Sequence, residues 1–464
     1  MHQHVEAART KLFLVNYWGI AGMSEKIKVV TLGCDKNLVD SEIMSGLIHE
    51  RGYTLVEDRE EATVIIVNTC GFIDAAKEES VNTILDLAEL KETASLKALI
   101  VSGCLTQRYK DELMQEMPEI DGIVGTGDFD KITDIIDEAL AGAKPSYVGN
   151  PVFNYDAVLP RKAAGPRYSA HIKIAEGCDN ACTFCSIPIM RGKFRSRSME
   201  SIVAEAGTLA AQGVREISLI AQDSTNYGMD MYGRFALPEL MEKLTQVPGV
   251  DWVRLHYAYP GFFTDELIEV IANNPKICKY VDMPLQHSED SILKRMRRPG
   301  RGRDARELLR KIRSRIPGVA LRTSLIVGFP GETEEDFENL KRFVEEIQFD
   351  KLGVFTYSQE QDTPAARLPD QIPEDVKEAR ANELMELQRR ISNSRNGGRV
   401  GEELEVLLER YDGRNDVYVG RSQYDAPEID GEVFVSGYKG NIGDIVKVKV
   451  THSFEFDLAG EAIA

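Results

Sequence analysis

The sequence predicts an α/β protein in three parts: an N-terminal parallel α/β domain, an incomplete (βα)6 barrel, and a small antiparallel β-barrel at the C-terminus. Three observations carry this. Apolar, β-branched runs near the start each end in a cysteine, Cys34, Cys70 and Cys104, at spacings of 36 residues (34 to 70) and 34 residues (70 to 104), the length of a strand plus a crossover helix. Six strand-like runs then alternate with helical ones through the middle of the chain. The C-terminal stretch holds short strand-like segments separated by Asp-Gly and Gly-Asn turns.

In the first domain, about residues 24–150, strands are expected at Ile27–Leu32, Thr63–Val67 and Ala98–Val101, with helices at Leu38–Arg51 and Ala75–Glu89. Crossovers of this length make the strands parallel. Parallel strands present their carboxyl ends along one edge, where binding sites form. Cys34, Cys70 and Cys104 are therefore expected to meet in space. A single buried cysteine is ordinary core packing. Three at equivalent strand ends point instead to a three-thiolate metal centre. Asp35, Lys36, Asn37 and Asp40 stand beside Cys34, either supporting that centre or as solvated loop residues.

In the central domain, about 165–395, strands are expected at His171–Ala175, Glu216–Ala221, Trp252–Tyr257, Tyr280–Leu285, Leu321–Val327 and Leu352–Tyr357, and helices at Met199–Ala211, Ala236–Leu244, Thr264–Ala272, Asp304–Arg315 and Thr333–Ile347. Such barrels carry their sites at the carboxyl ends of the strands. The loop after the first strand reads Glu176-Gly-Cys-Asp-Asn-Ala-Cys-Thr-Phe-Cys-Ser-Ile-Pro, which sets Cys178, Cys182 and Cys185 in a CxxxCxxC pattern. Three thiolates in so short a loop close around one metal centre with little entropy to overcome. Structural zinc would want a fourth ligand, and neither His nor Cys follows until His256. Three sulfurs on a 4Fe–4S cluster instead leave one iron open to a small chelating ligand. Gln222-Asp223, Gln286-His287 and Tyr357-Ser358 end strands on the same face. Gly328-Phe-Pro-Gly-Glu332 ends the fifth strand, with glycines that permit close backbone approach. His287 is expected to be a satisfied barrel-mouth histidine, and Cys278 a bystander. Two basic runs, Arg191 to Arg197 and Lys294 to Arg303, are either solvated surface or contacts for an anionic group or RNA.

The last domain, 396–464, follows an expected helix at Glu374–Ile391 and a linker at Asn393–Arg399. It carries fourteen acidic and seven basic side chains, so phosphate would be repelled and a basic protein surface fits better. The whole chain of 464 residues has 56 basic and 75 acidic residues, a net charge of −19, which argues against general nucleic-acid binding. Seven widely spaced cysteines make a disulfide framework unlikely and suit a reducing cytoplasm. No apolar run approaches the length of a membrane span, so no membrane partner is expected. Residues 1–22 are expected to be an extension outside the fold, with Met23 the natural beginning.

The cysteine phrase, with Phe184 before its last Cys, resembles the cluster loop of the radical S-adenosylmethionine (SAM) enzymes, and the C-terminal part resembles a TRAM domain. The order of three-cysteine domain, radical SAM barrel and TRAM-like barrel is similar to the radical SAM methylthiotransferase family. The phrases Gly33-Cys-Asp-Lys-Asn-Leu-Val-Asp-Ser-Glu42, Thr69-Cys-Gly-Phe-Ile-Asp-Ala-Ala-Lys-Glu78 and Met283-Pro-Leu-Gln-His-Ser-Glu-Asp290 resemble the branch that modifies an aspartate of small-subunit ribosomal protein S-twelve. The resemblance implies two 4Fe–4S clusters. One, on Cys178, Cys182 and Cys185, would bind and reductively cleave SAM, with an external one-electron reductant. The other, on Cys34, Cys70 and Cys104, would present the sulfur that is methylated and transferred. It also implies SAM contacts at Phe184, Gln222, Gln286, Gly328 and Glu332. The alternatives are methylthiolation of a transfer-RNA adenosine and a non-catalytic iron–sulfur or zinc protein docking on the ribosome.

Overall fold

The computed structural model describes residues 25–152, 159–298 and 302–463, with the side chain of Arg303 also outside the description. The expected extension over residues 1–22 and Arg301 of the second basic run lie outside the described residues.

Strands β1 (Lys26–Thr31), β2 (Thr54–Leu55), β3 (Val64–Thr69), β4 (Ala98–Gly103), β5 (Gly122–Val124) and β6 (Ser146–Tyr147) form one sheet in the order β2-β1-β3-β4-β5-β6, with every pairing parallel. β3 and β4 are buried at every position, as strands covered by helices on both faces must be. Ile27, Val64, Ile66 and Ile100 pack on one face with Val39, Ile43 and Ile48 of the helix Asp35–Glu50. Ile65, Val67, Leu99 and Val101 pack on the other with Ile84 and Leu87 of the helix Asp74–Ala88. Truncating any of these to Ala should cost about 2–5 kcal/mol. β2, β5 and β6 are only two or three residues long and carry no period of their own, which is why the sequence reading finds β1, β3 and β4 alone.

The central domain contributes β7 (Ser169–Lys173), a small antiparallel ribbon of β8 (Ala175–Glu176) with β9 (Arg195–Ser196), then β10 (Glu216–Ile220), β11 (Trp252–Leu255), β12 (Tyr280–Asp282), β13 (Ala320–Val327) and β14 (Lys351–Thr356). The six longer strands are parallel and form two arcs, β11-β10-β7 and β12-β13-β14. Between the arcs the ladder is broken at Tyr257, whose φ of +61° lies in the left-handed region. The Tyr257 amide donates to Asp282 Oδ2 at 3.2 Å and the Ala258 amide to Asp282 O at 2.8 Å, so the seam is closed partly by a side chain.

The last helix runs Glu374–Gly397 and absorbs residues 393–397 of the linker expected at Asn393–Arg399. Tertiary contacts overrule the Asn/Ser/Gly composition there. Arg395 Nε donates to Asp350 Oδ1 at 2.6 Å, and Asn396 Nδ2 to Phe454 O at 3.2 Å. A closed five-stranded barrel follows: β15 (Glu403–Asp412), β16 (Val417–Ser422), β17 (Val433–Ser436), β18 (Ile445–Ser453) and β19 (Leu458–Ala462), in the order β15-β16-β17-β19-β18. Its pairings are antiparallel except β17 with β19, which is parallel. β19 (LAGEA) lacks β-branched residues and is held by closure rather than propensity. Glu216, fully buried, joins this barrel to the central one: Arg254 Nε donates to it at 2.7 Å and Arg421 grips its other oxygen. No described helix is long and apolar enough to cross a membrane.

Candidate active site

β1, β3 and β4 are neighbours in the sheet, with Thr31 opposite Asn68 and Thr69 opposite Gly103. Cys34, Cys70 and Cys104 therefore follow the carboxyl ends of three adjacent strands along one edge of the sheet. Gly33 fits this corner because its φ is +89° and a Cβ there would lie 2.8 Å from Cys70 Cβ. Asn37 ties the ends of β1 and β3. Its Nδ2 donates to Leu32 O at 2.8 Å and Thr69 O at 3.0 Å, while Asn68 Nδ2 donates to Asn37 O at 2.8 Å. Lys36, Asn37 and Asp40 are buried, not solvated loop residues.

The second cysteine loop is bracketed by β8 and β9. The Cys178 amide donates to Gly192 O at 3.1 Å, and the Thr183 amide and hydroxyl reach Met296 O and Arg295 O at 3.0 and 2.9 Å. Asn180 Nδ2 donates to Cys178 Sγ at 3.4 Å, and Arg298 Nη1 lies 3.7 Å from Cys182 Sγ. Phe184 meets Phe329 edge-on, with centroids 6.4 Å apart, in a small apolar cluster with Tyr357.

Burial pushes the Cys104 and Cys178 thiols up to about 11 and Cys185 to about 12, and raises Cys70 as well; for Cys104 the neighbouring Cys34 and Cys70 add to the shift, and Cys182 does so for Cys178 and Cys185. Burial thus disfavours the thiolate at Cys70, Cys104, Cys178 and Cys185. A metal centre bound there would supply the positive charge that deprotonates a coordinating thiol. Among the described residues no three His, Cys, Asp or Glu groups converge on a single ion. The donor sets, three free cysteines each, are of the type that iron–sulfur clusters take.

Between the tripods runs a buried ionic chain. Arg191, which ends the short helix Ile187–Arg191 after the second loop, donates through Nη2 to Asn37 Oδ1 at 2.6 Å and through Nη1 to Asp40 Oδ2 at 2.8 Å. Lys173 Nζ bridges Asp40 at 2.6 Å and Glu176 at 2.8 Å. Glu176 accepts from Gln222 Nε2 at 2.5 Å, two residues before Cys178. Burial raises the Glu176 carboxyl, but Lys173 and Arg191 outweigh it and hold the group at about 2. Arg191 and Lys173 were not singled out as site residues from sequence. A lysine inside the apolar strand Ser169–Lys173 was the available signal.

Gln286 lies four residues beyond β12, which ends at Asp282 rather than at the expected Leu285; its φ is +74° and its amide donates to Ser324 O at 2.9 Å. Glu332 is committed to its own loop: Oε2 accepts from the amides of Gly328 at 2.8 Å and Phe329 at 3.3 Å, and Oε1 pairs with Arg380 at 2.8 Å. The close approach at Gly328 is made by Lys377, whose Cγ lies 2.2 Å from where a Cβ would stand. His287 is half satisfied rather than satisfied. Its Nδ1 accepts from the Glu289 amide at 3.1 Å, while Nε2 has no hydrogen-bond partner among the described residues and lies 3.6 Å from Glu332. Cys278 is buried among Trp252, Tyr280 and Leu407, in keeping with a bystander. In the first basic run Arg191 and Arg197 are buried, and Arg197 pairs with Glu205 at 2.7 Å, while Arg195 is half-buried and Lys193 exposed.

Family models match three segments: "Uncharacterized protein family UPF0004" over residues 26–125, "Radical SAM superfamily" over 172–344 and "TRAM domain" over 400–463. A curated relative from Desulforamulus reducens is 52% identical over 94% of this chain and 99% of its own length, and one from Geobacter sulfurreducens is 50% identical over 96% and 100%. Both are named ribosomal protein uS12 methylthiotransferase RimO. Among solved structures, the radical SAM methyltransferase TsrM from Kitasatospora setae superposes with a TM-score of 0.55 at 14% identity, covering 74% of each chain, which shows a shared fold. With half its residues identical across nearly full length, the chain belongs to the radical SAM methylthiotransferase family, among the relatives named RimO.

Proposed function

We propose that this protein adds a methylthio group to the β-carbon of an aspartate in ribosomal protein S-twelve, in the cytoplasm, with SAM, two 4Fe–4S clusters and an external one-electron reductant. The single observation that carries the reading is the buried chain Asn37–Arg191–Glu176–Gln222, which ties the edge bearing Cys34, Cys70 and Cys104 to the strand ends beside Cys178, Cys182 and Cys185. Two tripods so joined support chemistry in which two centres act on one substrate atom.

When bound, the clusters and SAM supply the one-electron cleavage of SAM and the transferred sulfur. The target C–H is too weakly acidic for any side-chain base, so the chain's own task is to hold, orient and exclude. Cys178, Cys182 and Cys185 hold one cluster, and Cys34, Cys70 and Cys104 the other. Phe184, packed on Phe329, shapes the wall beside the second loop. Glu332 fixes the Gly328–Phe329 turn by accepting both amides, and Gln222, anchored on Glu176, and Gln286 complete the SAM-facing edge. The domains at 24–150 and 165–395 thus each present one tripod, and the acidic barrel at 396–464 suits a basic ribosomal protein.

The test is anaerobic incubation of the reconstituted protein with SAM, reductant and either the S-twelve protein or transfer RNA, followed by mass spectrometry. A gain of one SCH2 unit on an aspartate of the protein is expected. The same gain on RNA and none on the protein overturns the substrate assignment, and no SAM cleavage at all would favour a docking protein.

A further inference from the structure

Of the six longer strands of the central domain, β14 (Lys351–Thr356) alone has no fully buried residue. It ends the arc β12-β13-β14 and pairs with β13 along its whole length. Among the described residues nothing else hydrogen-bonds its backbone, so the amides and carbonyls of every second residue face away from β13 without a protein partner. The end strand of the other arc is covered instead: Arg161, held by Glu42 and Glu205, donates to His171 O of β7 at 2.7 Å.

Soluble proteins blunt a free sheet edge with charge, proline, a bulge or shortness. β14 has none of these. Its one charged residue, Lys351, is paired with Asp425 at 2.6 Å, and Leu-Gly-Val-Phe-Thr follows in unbroken register with β13. Leu352 and Val354 pack onto a core that includes Leu384 and Ile391 of the helix Glu374–Gly397. Phe355 points to the opposite face and is 52% exposed, its ring lying over Gly353, where a Cβ would stand 3.2 Å from Phe355 Cε2. A glycine inside a strand marks a place where a second backbone can come close.

The strand also joins two places that the function needs. Its first residue touches the acidic C-terminal barrel through Asp425, and Tyr357, just past its end, packs with Phe329 and Phe184 beside the second cysteine loop. Six residues of strand span about 20 Å. We propose that β14 receives an extended segment of the S-twelve protein as an added strand, and so leads the target aspartate to the cysteine loops. This rests on the reading under Proposed function. Backbone hydrogen bonds supply the grip, and the guest's alternate side chains lie against Phe355 and Gly353. A basic guest is drawn to a barrel with fourteen acidic and seven basic side chains, whereas a second copy of this chain, at a net charge of −19, is repelled.

The experiment uses the full-length reconstituted enzyme, the S-twelve protein and a synthetic peptide spanning the target aspartate. Amide hydrogen exchange over residues 351–356 should slow by about tenfold or more when S-twelve is added, because edge amides open to water become paired. Methylating the peptide's backbone nitrogens one at a time should weaken binding about fivefold at every second residue and little between, since a lost hydrogen bond is felt only where the guest faces β14. Phe355→Lys, which charges the edge, should lower S-twelve affinity while leaving iron per chain and SAM cleavage without substrate unchanged. Bound S-twelve with no change in β14 exchange, or N-methylation without the two-residue period, overturns the proposal. So does concentration-dependent protection of β14 in the free enzyme, which would show a second copy on the edge. If wild type neither binds nor modifies S-twelve, the function itself fails, a result read without reference to β14.

Discussion

Lys173 Nζ and Asp40 Oδ1 lie 2.6 Å apart with the side chains 0% and 5% exposed, one on the first strand of the central barrel and the other on the first helix of the N-terminal domain. The pair is a buried ionic contact between the two cysteine-bearing domains. Removing one partner leaves an uncompensated buried charge, typically a loss of about 3–5 kcal/mol. Asp40→Ala and Lys173→Met should each fall in that range by urea denaturation of the domain pair, with the double variant well short of their sum. A single-variant loss below about 1 kcal/mol would show that water reaches the bridge.

Glu176 gives the bridge a pH signature. Its carboxyl titrates near about 2 in the folded protein against a reference of 4.5, because Lys173 and Arg191 outweigh the burial that raises it. A depressed pKa contributes stability that is present above the unfolded value and lost as pH falls through the folded one. Stability should therefore decline between about pH 4.5 and 2, and Glu176→Gln should flatten the decline in that window while lowering stability at neutral pH. Unfolding midpoints measured across the window check this; parallel curves for variant and wild type contradict it.

Replacing Cys34, Cys70 and Cys104 together by Ala should remove about half the iron of the reconstituted protein and abolish methylthiolation, while 5′-deoxyadenosine is still formed from SAM under reduction. Iron analysis and product chromatography read both. Unchanged iron content would reduce the three thiols to core packing.

Gly33→Ala tests the first corner without touching a thiol. The left-handed φ of +89° is strained for any L side chain, and the new Cβ would meet Cys70 Cβ at 2.8 Å. A loss of about 1–3 kcal/mol is expected, with a matching loss of iron on the first tripod. Wild-type iron loading would mean that the corner yields easily.

Much of this protein was legible before any coordinates. The βα spacing placed Cys34, Cys70 and Cys104 at neighbouring strand ends, because parallel pairing follows from crossover length and parallel strands share one carboxyl edge. The six central strands and their helices follow from periodicity of the same kind. Residues such as Arg197 and Asn396 were misread because composition records what a side chain is and not what it meets: one pairs with Glu205, the other caps Phe454.

The sequence by itself determined the three-part architecture and the two cysteine sets, since local spacing dictates them. Only the tertiary structure decided that Lys173 and Arg191 bridge the two domains and that Glu332 is held by its own loop. Those facts depend on distances between residues far apart in the chain, and the energy of a charge is fixed by its surroundings rather than by its neighbours in sequence.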